Sequence, residues 1–265
     1  MKIVVRFLGW TFLIVCGTWG SLILLTRCQW VVYGQVLFMV LYAIGGLSPC
    51  LAAFIVLRKD KAAARELRRS IFHYRIRVFL YPVMILLPLA VSGIARSLSW
   101  LLTGDGGPFL KEGFLGVLML LPVMVIGGGL EEIGWRGVLL PQLLSKMHPW
   151  KAALLVSLIW GLWHIPLFFI PGVPQYGTSY AAFLVNLFPI SFLLVLLYMR
   201  TRSVLACIFF HALENAYASS GLSTWAVDPV SRRIDLAVGL IVPFLLFALS
   251  FRGHRFDRGD NILIV

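Results

Sequence analysis

Residues 127–136 read Gly-Gly-Gly-Leu-Glu-Glu-Ile-Gly-Trp-Arg, and they place two carboxylates and a guanidinium inside a hydrophobic run that extends from Phe114 to Leu144. No other charged residue occurs within that run. An ionisable group at bilayer depth is costly, so such groups normally face a protein interior or a water-filled cavity and mark a functional site. The stretch therefore predicts a polar site inside a membrane-embedded helix.

The spacing of the three charges predicts different roles for the two carboxylates. On a helix, Glu132 and Arg136 are at positions i and i+4, so they share a face and can pair. Glu131 is turned by about 100° from its neighbour and faces elsewhere. We expect Glu132 and Arg136 to form a structural ion pair and Glu131 to be available for chemistry.

The composition of the whole chain is that of a membrane protein. Of its 265 residues 60% are hydrophobic and 13% are charged, and the mean hydropathy is +0.92. This excess predicts an all-α fold, a polytopic transmembrane helical bundle of about eight helices enclosing an intramembrane polar cavity. We expect residues 1–265 to form a single integral membrane domain, with its motif-bearing core at about 114–219. The four cysteines share no spacing typical of a metal site or a disulfide framework.

The apolar runs and the basic residues between them predict the topology. Most Lys and Arg residues lie in short loops beside apolar spans, which indicates membrane orientation and gives no sign of nucleic-acid binding. With eight spans, 17 of the 23 basic residues lie on the side of the termini and 4 on the opposite side. The positive-inside rule then predicts a multi-pass protein of the cell membrane with both termini cytoplasmic. The expected spans are residues 7–26, 31–57, 78–102, 114–144, 151–170, 180–199, 203–219 and 234–251.

Two features of these spans carry further expectations. The run 114–144 is too long for one straight crossing, so we expect a bend near residues 127–129 or a strong tilt. The basic segment 58–77 either lies flat on the anionic leaflet of the bilayer or is a solvated loop that enforces topology.

Two later helices also carry polar residues at depth. Trp160 and His164 are four residues apart on one helix, and His211 and Asn215 are four apart on another. Counted from the predicted cytoplasmic ends of their spans, Glu131, His164, His211 and Asn215 lie at depths of roughly 20, 20, 12 and 18 Å. Residues from three helices therefore reach comparable levels, as one shared site requires.

The combination of these residues predicts a hydrolytic site. A single membrane histidine or asparagine is typically an interhelical hydrogen-bond partner. Together, a carboxylate, two histidines and an asparagine supply a base that activates water, a proton carrier and donors to an oxyanion, which are the groups needed to hydrolyse an amide. Glu214, beside His211 and Asn215, has no assigned role.

In this order, the motifs resemble those of the CPBP intramembrane protease family, also called the Abi family. The resemblance rests on Glu131-Glu132-x-x-x-Arg136, Trp160-x-x-x-His164 and His211-x-x-x-Asn215 and spans roughly residues 114–219. That family includes the type II CAAX prenyl endopeptidases and bacterial proteins linked to bacteriocin processing or self-immunity. The resemblance implies that Glu131 and His164 activate water and that His211 and Asn215 stabilise the oxyanion, with Glu132, Arg136 and Trp160 as structural support.

Several alternatives remain open from the sequence. A His, His, Glu set could also hold zinc, although no His-Glu-x-x-His motif is present, and we expect a mechanism without a cofactor. The chain could instead be an inert immunity or chaperone-like membrane protein, or a transporter with midplane charges. A prenylated CAAX tail, a leader peptide and a membrane-protein segment would all suit a membrane cavity as substrates.

Overall fold

The computed structural model describes residues 2–104, 113–220 and 229–251. Every regular element that it describes is helical, as expected for segments that must satisfy their backbone hydrogen bonds within lipid. The first half contains six helices: α1 (Lys2–Arg27), α2 (Val36–Gly46), α3 (Ser48–Leu57), α4 (Lys61–Ile71), α5 (Leu80–Thr103) and α6 (Gly113–Ile126).

The second half begins with an irregular segment and ends with three long helices. A 3₁₀ turn (Gly129–Glu131) leads into a single helical turn, α7 (Glu132–Gly134), a π-helical segment (Trp135–Leu139) and α8 (Leu140–Leu144). A further 3₁₀ segment (Ile165–Phe169) follows α9. The remaining helices are α9 (Pro149–His164), α10 (Tyr180–Thr201), α11 (Val204–Ser219) and α12 (Pro229–Leu249).

The predicted all-α polytopic bundle is confirmed. Within the described ranges, five helical stretches are long and apolar enough to cross a membrane, and the bent pair of α2 and α3 makes a sixth if its two helices form one span. All eight predicted runs coincide with helices, but α11 is a shorter apolar helix and α12 does not meet the same criterion. The protein is therefore a multi-pass membrane protein.

The run 114–144 is interrupted at the residues where a bend was predicted, although it still forms one candidate span from Gly113 to Leu144. Helix α6 ends at Ile126, and helical structure resumes with the 3₁₀ turn at Gly129. After this break, α7 packs so closely on the start of α3 that a Cβ atom on Gly134 would lie 2.5 Å from the carbonyl oxygen of Pro49. The break and the close packing bring the polar motif into the centre of the bundle.

An aromatic cluster supports the motif from the side of α1. The indole ring of Trp163 lies 4.8 Å from that of Trp19 and 6.0 Å from that of Trp135, and Trp135 contacts Phe7 edge to face. All four side chains are buried. The Trp163 indole also donates a hydrogen bond of 2.9 Å to Ser48 Oγ, which ties α9 to α3. These rigid rings hold α9 in a fixed position relative to the motif.

Helix α4 contradicts the interpretation of the segment 58–77 as a solvated loop, because its buried Leu67 packs into the hydrophobic core. The interpretation that the segment lies on the anionic leaflet stays a prediction. Ser70 Oγ donates to the carbonyl of Arg202 at 2.7 Å and accepts from the backbone N–H of Val204 at 3.2 Å. The start of the helix is capped by Asp60, which accepts from Ala63 N. Helix α4 is therefore docked on the bundle.

Some residues used in the topology prediction lie outside the described residues. They are Lys111 and the basic residues 252, 255 and 258 near the C terminus. The expectation that both termini are cytoplasmic therefore stays a prediction.

Candidate active site

Glu132 lies at the centre of a buried charge network. One of its carboxylate oxygens, Oε2, lies 3.0 Å from Arg136 Nη1, which is the ion pair that the i, i+4 spacing predicts. Its other oxygen, Oε1, lies 2.9 Å from Nδ1 of His211 on α11. Both carboxylate oxygens thus face cationic or hydrogen-bond-donating groups from two different elements. Because Glu132 is fully buried, these partners offset the cost of removing its charge from water.

Arg136 connects the motif to two further helices. Its Nη2 atom donates to Ser191 Oγ at 2.9 Å and to the Ser191 carbonyl at 3.2 Å, which reaches α10. Its guanidinium carbon lies 5.0 Å from the centre of the Trp160 ring on α9, a cation–π contact. Arg136 sits in the π-helical segment, an irregular helix type that is frequent at functional sites. Its fully buried charge therefore holds three elements together.

Glu131 faces α9, away from the ion pair. Its Oε2 atom accepts a hydrogen bond of 2.8 Å from the indole Nε1–H of Trp160. The side chain is buried, and its direct donor is a neutral group. The predicted difference between the two carboxylates is therefore present in the structure, since Glu132 is paired with charge and Glu131 is not.

Trp160 links Glu131 to both histidines. Its carbonyl oxygen lies 2.8 Å from His164 Nδ1, and because a carbonyl can only accept, Nδ1 carries the hydrogen. This leaves Nε2 of His164 with its lone pair, as a proton acceptor. The Trp160 ring also packs edge to face on the His211 ring, with centroids 5.1 Å apart. One residue thus contacts Glu131, Arg136, His164 and His211.

His211 and Asn215 converge on the break before the motif. A Cβ atom placed on Gly128 would lie 2.4 Å from Asn215 Nδ2 and 3.3 Å from His211 Nε2. Only glycine leaves room for both side chains at this distance. In the described residues Asn215 has no hydrogen-bond partner, so its amide N–H groups remain available to a ligand. The break in the chain therefore provides space for the Asn215 amide and the His211 imidazole beside Gly128.

A cavity of about 310 Å³ reaches this site from between α5, α10, α11 and α12. Of the four predicted catalytic residues, Asn215 lines it, and Glu214 lines it as well. Other polar residues in its wall are Ser92, Arg96, Asn186 and Asp235. This cavity meets the site on the side of the asparagine, and it is not lined by Glu131, His164 or His211, so the expectation of one cavity shared by all four residues stays a prediction.

The described residues do not include a ready metal site. No group of three or more His, Cys, Asp or Glu side chains among them is arranged to hold a metal ion. Glu132 is instead occupied by Arg136 and His211.

The structure places the predicted site residues close together and shows two contacts that the sequence did not predict. Trp160 was expected only to support the structure, yet its indole is bonded to Glu131. The signal was the indole N–H, a donor that must find a partner when it is buried. Ser191, the partner of Arg136, had no signal beyond being a serine in an apolar helix.

Two comparisons show which known proteins this chain is similar to. Residues 113–217 match the family model described as Type II CAAX prenyl endopeptidase Rce1-like. CAAX prenyl protease 2 of Methanococcus maripaludis is 27% identical to this chain over 196 residues, covering 68% of this chain and 71% of the relative. The residues matched by the family model contain all three motifs of the site.

Proposed function

We propose that this chain is a CAAX-type intramembrane endopeptidase of the CPBP family of membrane proteases, which includes the type II CAAX prenyl endopeptidases. The similarity to the family model and to the curated relative supports this activity. The residues that act, and the peptide that is cleaved, are our proposal. The observation that carries it is Trp160, which joins Glu131 and His164 through its indole and its carbonyl.

In the proposed mechanism, Glu131 and His164 activate a water molecule. The carboxylate of Glu131 takes one proton from water, and His164 Nε2 accepts a hydrogen bond from the second O–H of the same water, since its Nδ1 donates to the Trp160 carbonyl. The water oxygen forms a bond to the carbonyl carbon of the substrate, and the carbonyl oxygen becomes an oxyanion.

His211 and Asn215 stabilise that oxyanion. Asn215 Nδ2 and His211 Nε2 both lie beside Gly128, so two donors approach one position, as an oxyanion site requires. For Nε2 to donate while Nδ1 donates to Glu132, His211 carries a proton on each nitrogen, and the Glu132 carboxylate is its counter-charge. The proton held by Glu131 then passes to the amide nitrogen, the carbon–nitrogen bond breaks, and an acid and an amine leave.

No step of this mechanism passes through a metal ion. The support is that no group of three or more His, Cys, Asp or Glu side chains in the described residues is arranged to hold one. The test is cleavage by protein that has been stripped with a chelator and then passed through a desalting column. We expect turnover to be unchanged. Loss of cleavage on stripping, with recovery on adding zinc, would overturn the metal-free mechanism.

The proposed substrate is a membrane-associated peptide with a prenylated cysteine near its C terminus, the class named by the relative CAAX prenyl protease 2. The experiment is incubation of purified protein in detergent with a farnesylated CAAX peptide and its unfarnesylated counterpart, with products identified by mass spectrometry. We expect cleavage after the prenylated cysteine alone. Equal cleavage of both peptides would show that the enzyme does not recognise the prenyl group. Absence of cleavage of either peptide would contradict the proposed substrate class.

We also propose that the protein lies in the cell membrane with its termini and segment 58–77 in the cytoplasm. The support is the ratio of 17 to 4 basic residues on the two sides. Single cysteines placed at exposed Lys59 or Arg77 of a variant lacking the native cysteines should react with a membrane-impermeant maleimide only after the cells are opened. Labelling of intact cells at either position would reverse the orientation.

A further inference from the structure

A second cavity lies away from the site, between α3, α4 and α7. It is a groove of about 690 Å³, and none of the seven residues of the proposed site and its support lines it. The groove is fixed in place because α4 is anchored by Leu67 and by the two hydrogen bonds of Ser70. It therefore exists before any ligand arrives.

Four cations stand on the wall of this groove. Lys61, Arg65 and Arg68 are at positions i, i+4 and i+7 of α4 and share one face, and Arg58 at the end of α3 joins them. All four are exposed, and none of them forms an ion pair within the described part of the chain. No acidic residue lines the groove. The wall thus presents four unpaired positive charges to one space.

The floor of the same groove is apolar. Leu67 and Ile71 from α4 meet Phe54 and Leu57 from α3, and Ile133 of α7 closes the inner end. Phe54 is 54% exposed, so a large apolar surface remains uncovered at the rim. A ligand that fits both parts must carry an anion at one end and a hydrocarbon chain at the other.

We propose that this groove binds an anionic glycerophospholipid, with its phosphate on the four cations and an acyl chain on the apolar floor. Helix α3 ends at Leu57, so the cations stand at the end of a bent span, where a membrane helix meets the lipid headgroups. The volume of the groove lies in the range of ordinary ligand pockets. A free phosphate would satisfy the cations but leave the apolar floor exposed, which is why we assign a lipid.

The experiment measures lipid binding to the full-length protein in a neutral detergent. Phosphatidylglycerol and phosphatidylcholine with the same acyl chains are titrated separately, and the thermal midpoint is followed. We expect a saturable rise in the midpoint with phosphatidylglycerol and no saturable change with phosphatidylcholine. Equal effects of the two lipids would overturn the proposal, because the headgroup charge would then play no part.

Two matched triple variants locate the binding. The variant Lys61→Gln, Arg65→Gln, Arg68→Gln removes three charges that line the groove. The control Lys59→Gln, Arg69→Gln, Arg77→Gln removes three from the same segment that do not line it. All six side chains are exposed, so both proteins should fold. We expect the first to weaken phosphatidylglycerol binding by about 10- to 100-fold and the control to stay within about twofold. Equal weakening of both, or weakening of neither, would overturn the site.

A competition separates a lipid from a simple anion. Glycerol 3-phosphate, which carries the phosphate without the acyl chains, should not displace phosphatidylglycerol at a hundredfold excess. Displacement at comparable concentration would show that the groove recognises an anion only. The variant Phe54→Ala removes apolar surface at the rim and keeps every charge, so it should weaken binding of the lipid. Unchanged affinity would show that the apolar rim does not contribute to acyl-chain binding.

Discussion

The 3₁₀ turn at Gly129–Glu131 and helix α7, which follows it directly, hold neighbouring carboxylates in opposite ways. In α7, Glu132 faces the guanidinium of Arg136 and the imidazole of His211, so its charge is matched on both sides. In the 3₁₀ turn, Glu131 meets a neutral indole. Both side chains are buried. The difference teaches that one carboxylate is committed to the structure while the other keeps its capacity to accept a proton.

The largest expected effect comes from Glu131. The variant Glu131→Gln keeps the shape of the side chain and an oxygen that can accept from Trp160, but it cannot take a proton from water. Turnover should fall by roughly 100- to 10,000-fold, the range of a general base, while the thermal midpoint stays near that of the parent. The control is Glu66→Gln, an exposed glutamate on α4. Cleavage by Glu131→Gln at the parental rate would show that Glu131 is not the general base, and the proposed difference between the two carboxylates would be wrong.

Glu132 and Arg136 should respond in stability as well as in activity. Either Glu132→Gln or Arg136→Gln leaves a buried charge without its partner, at a cost of about 3–5 kcal/mol in the free energy of unfolding. The readout is folded yield and thermal stability in detergent, with exposed Arg69→Gln as the control for Arg136. Two variants as stable as the parent would mean that the pair contributes nothing to the fold.

Substitutions at Asn215 and at the neighbouring Gly128 test the proposed oxyanion site. Asn215→Ala removes one donor, and we expect a loss of about 100- to 1000-fold in turnover. Gly128→Ala should also lower turnover, because the new Cβ would lie 2.4 Å from Asn215 Nδ2 and displace the amide. The control is Gly127→Ala, where the nearest atom to the new Cβ is the Val123 carbonyl oxygen at 3.2 Å. If both glycine variants lose equal activity, the loss comes from disturbing the break in the helix and not from displacing Asn215.

The smallest expected effect isolates the hydrogen bond between Trp160 and Glu131. Trp160→Phe keeps an aromatic ring beside Arg136 and His211 but removes the indole N–H, which positions the carboxylate. We expect kcat to fall by about 10- to 100-fold with little change in KM, since a hydrogen bond to a charged group contributes about 1.5–3 kcal/mol. Trp163→Phe is the matched control, because it deletes an indole bond to Ser48 from the same helix without touching Glu131. Equal losses in the two variants would reduce Trp160 to a structural role.

The sequence predicted this site well wherever local geometry decided the outcome. The pair of Glu132 and Arg136 follows from helical periodicity, and the break before the motif follows from the length of the run and its glycines. Residues from three helical segments lie close together around Trp160, as their matched depths along the chain predicted. All three predictions depend on distances along the chain, which the sequence contains.

What could not be predicted depends on which helices are neighbours and how they are rotated. The bond between His211 and Glu132 joins residues 79 positions apart, and that between Arg136 and Ser191 joins residues 55 apart. Hydrophobic patterns show that a helix is buried but not which partner covers it. The π-helical turn around Arg136 was also not foreseen, because it depends on packing against these distant residues.

The separation between Arg136 and Ser191 also has a consequence for how the protein is made. Synthesis proceeds at about 5–20 residues per second, so the ribosome needs roughly 3–11 s to reach Ser191 after it has added Arg136. During that interval the guanidinium enters the membrane without its partner on α10. Glu132, four residues earlier in the same segment, is already present to accompany it. The ion pair can therefore neutralise the nascent helix during insertion, before the helices that later enclose it exist.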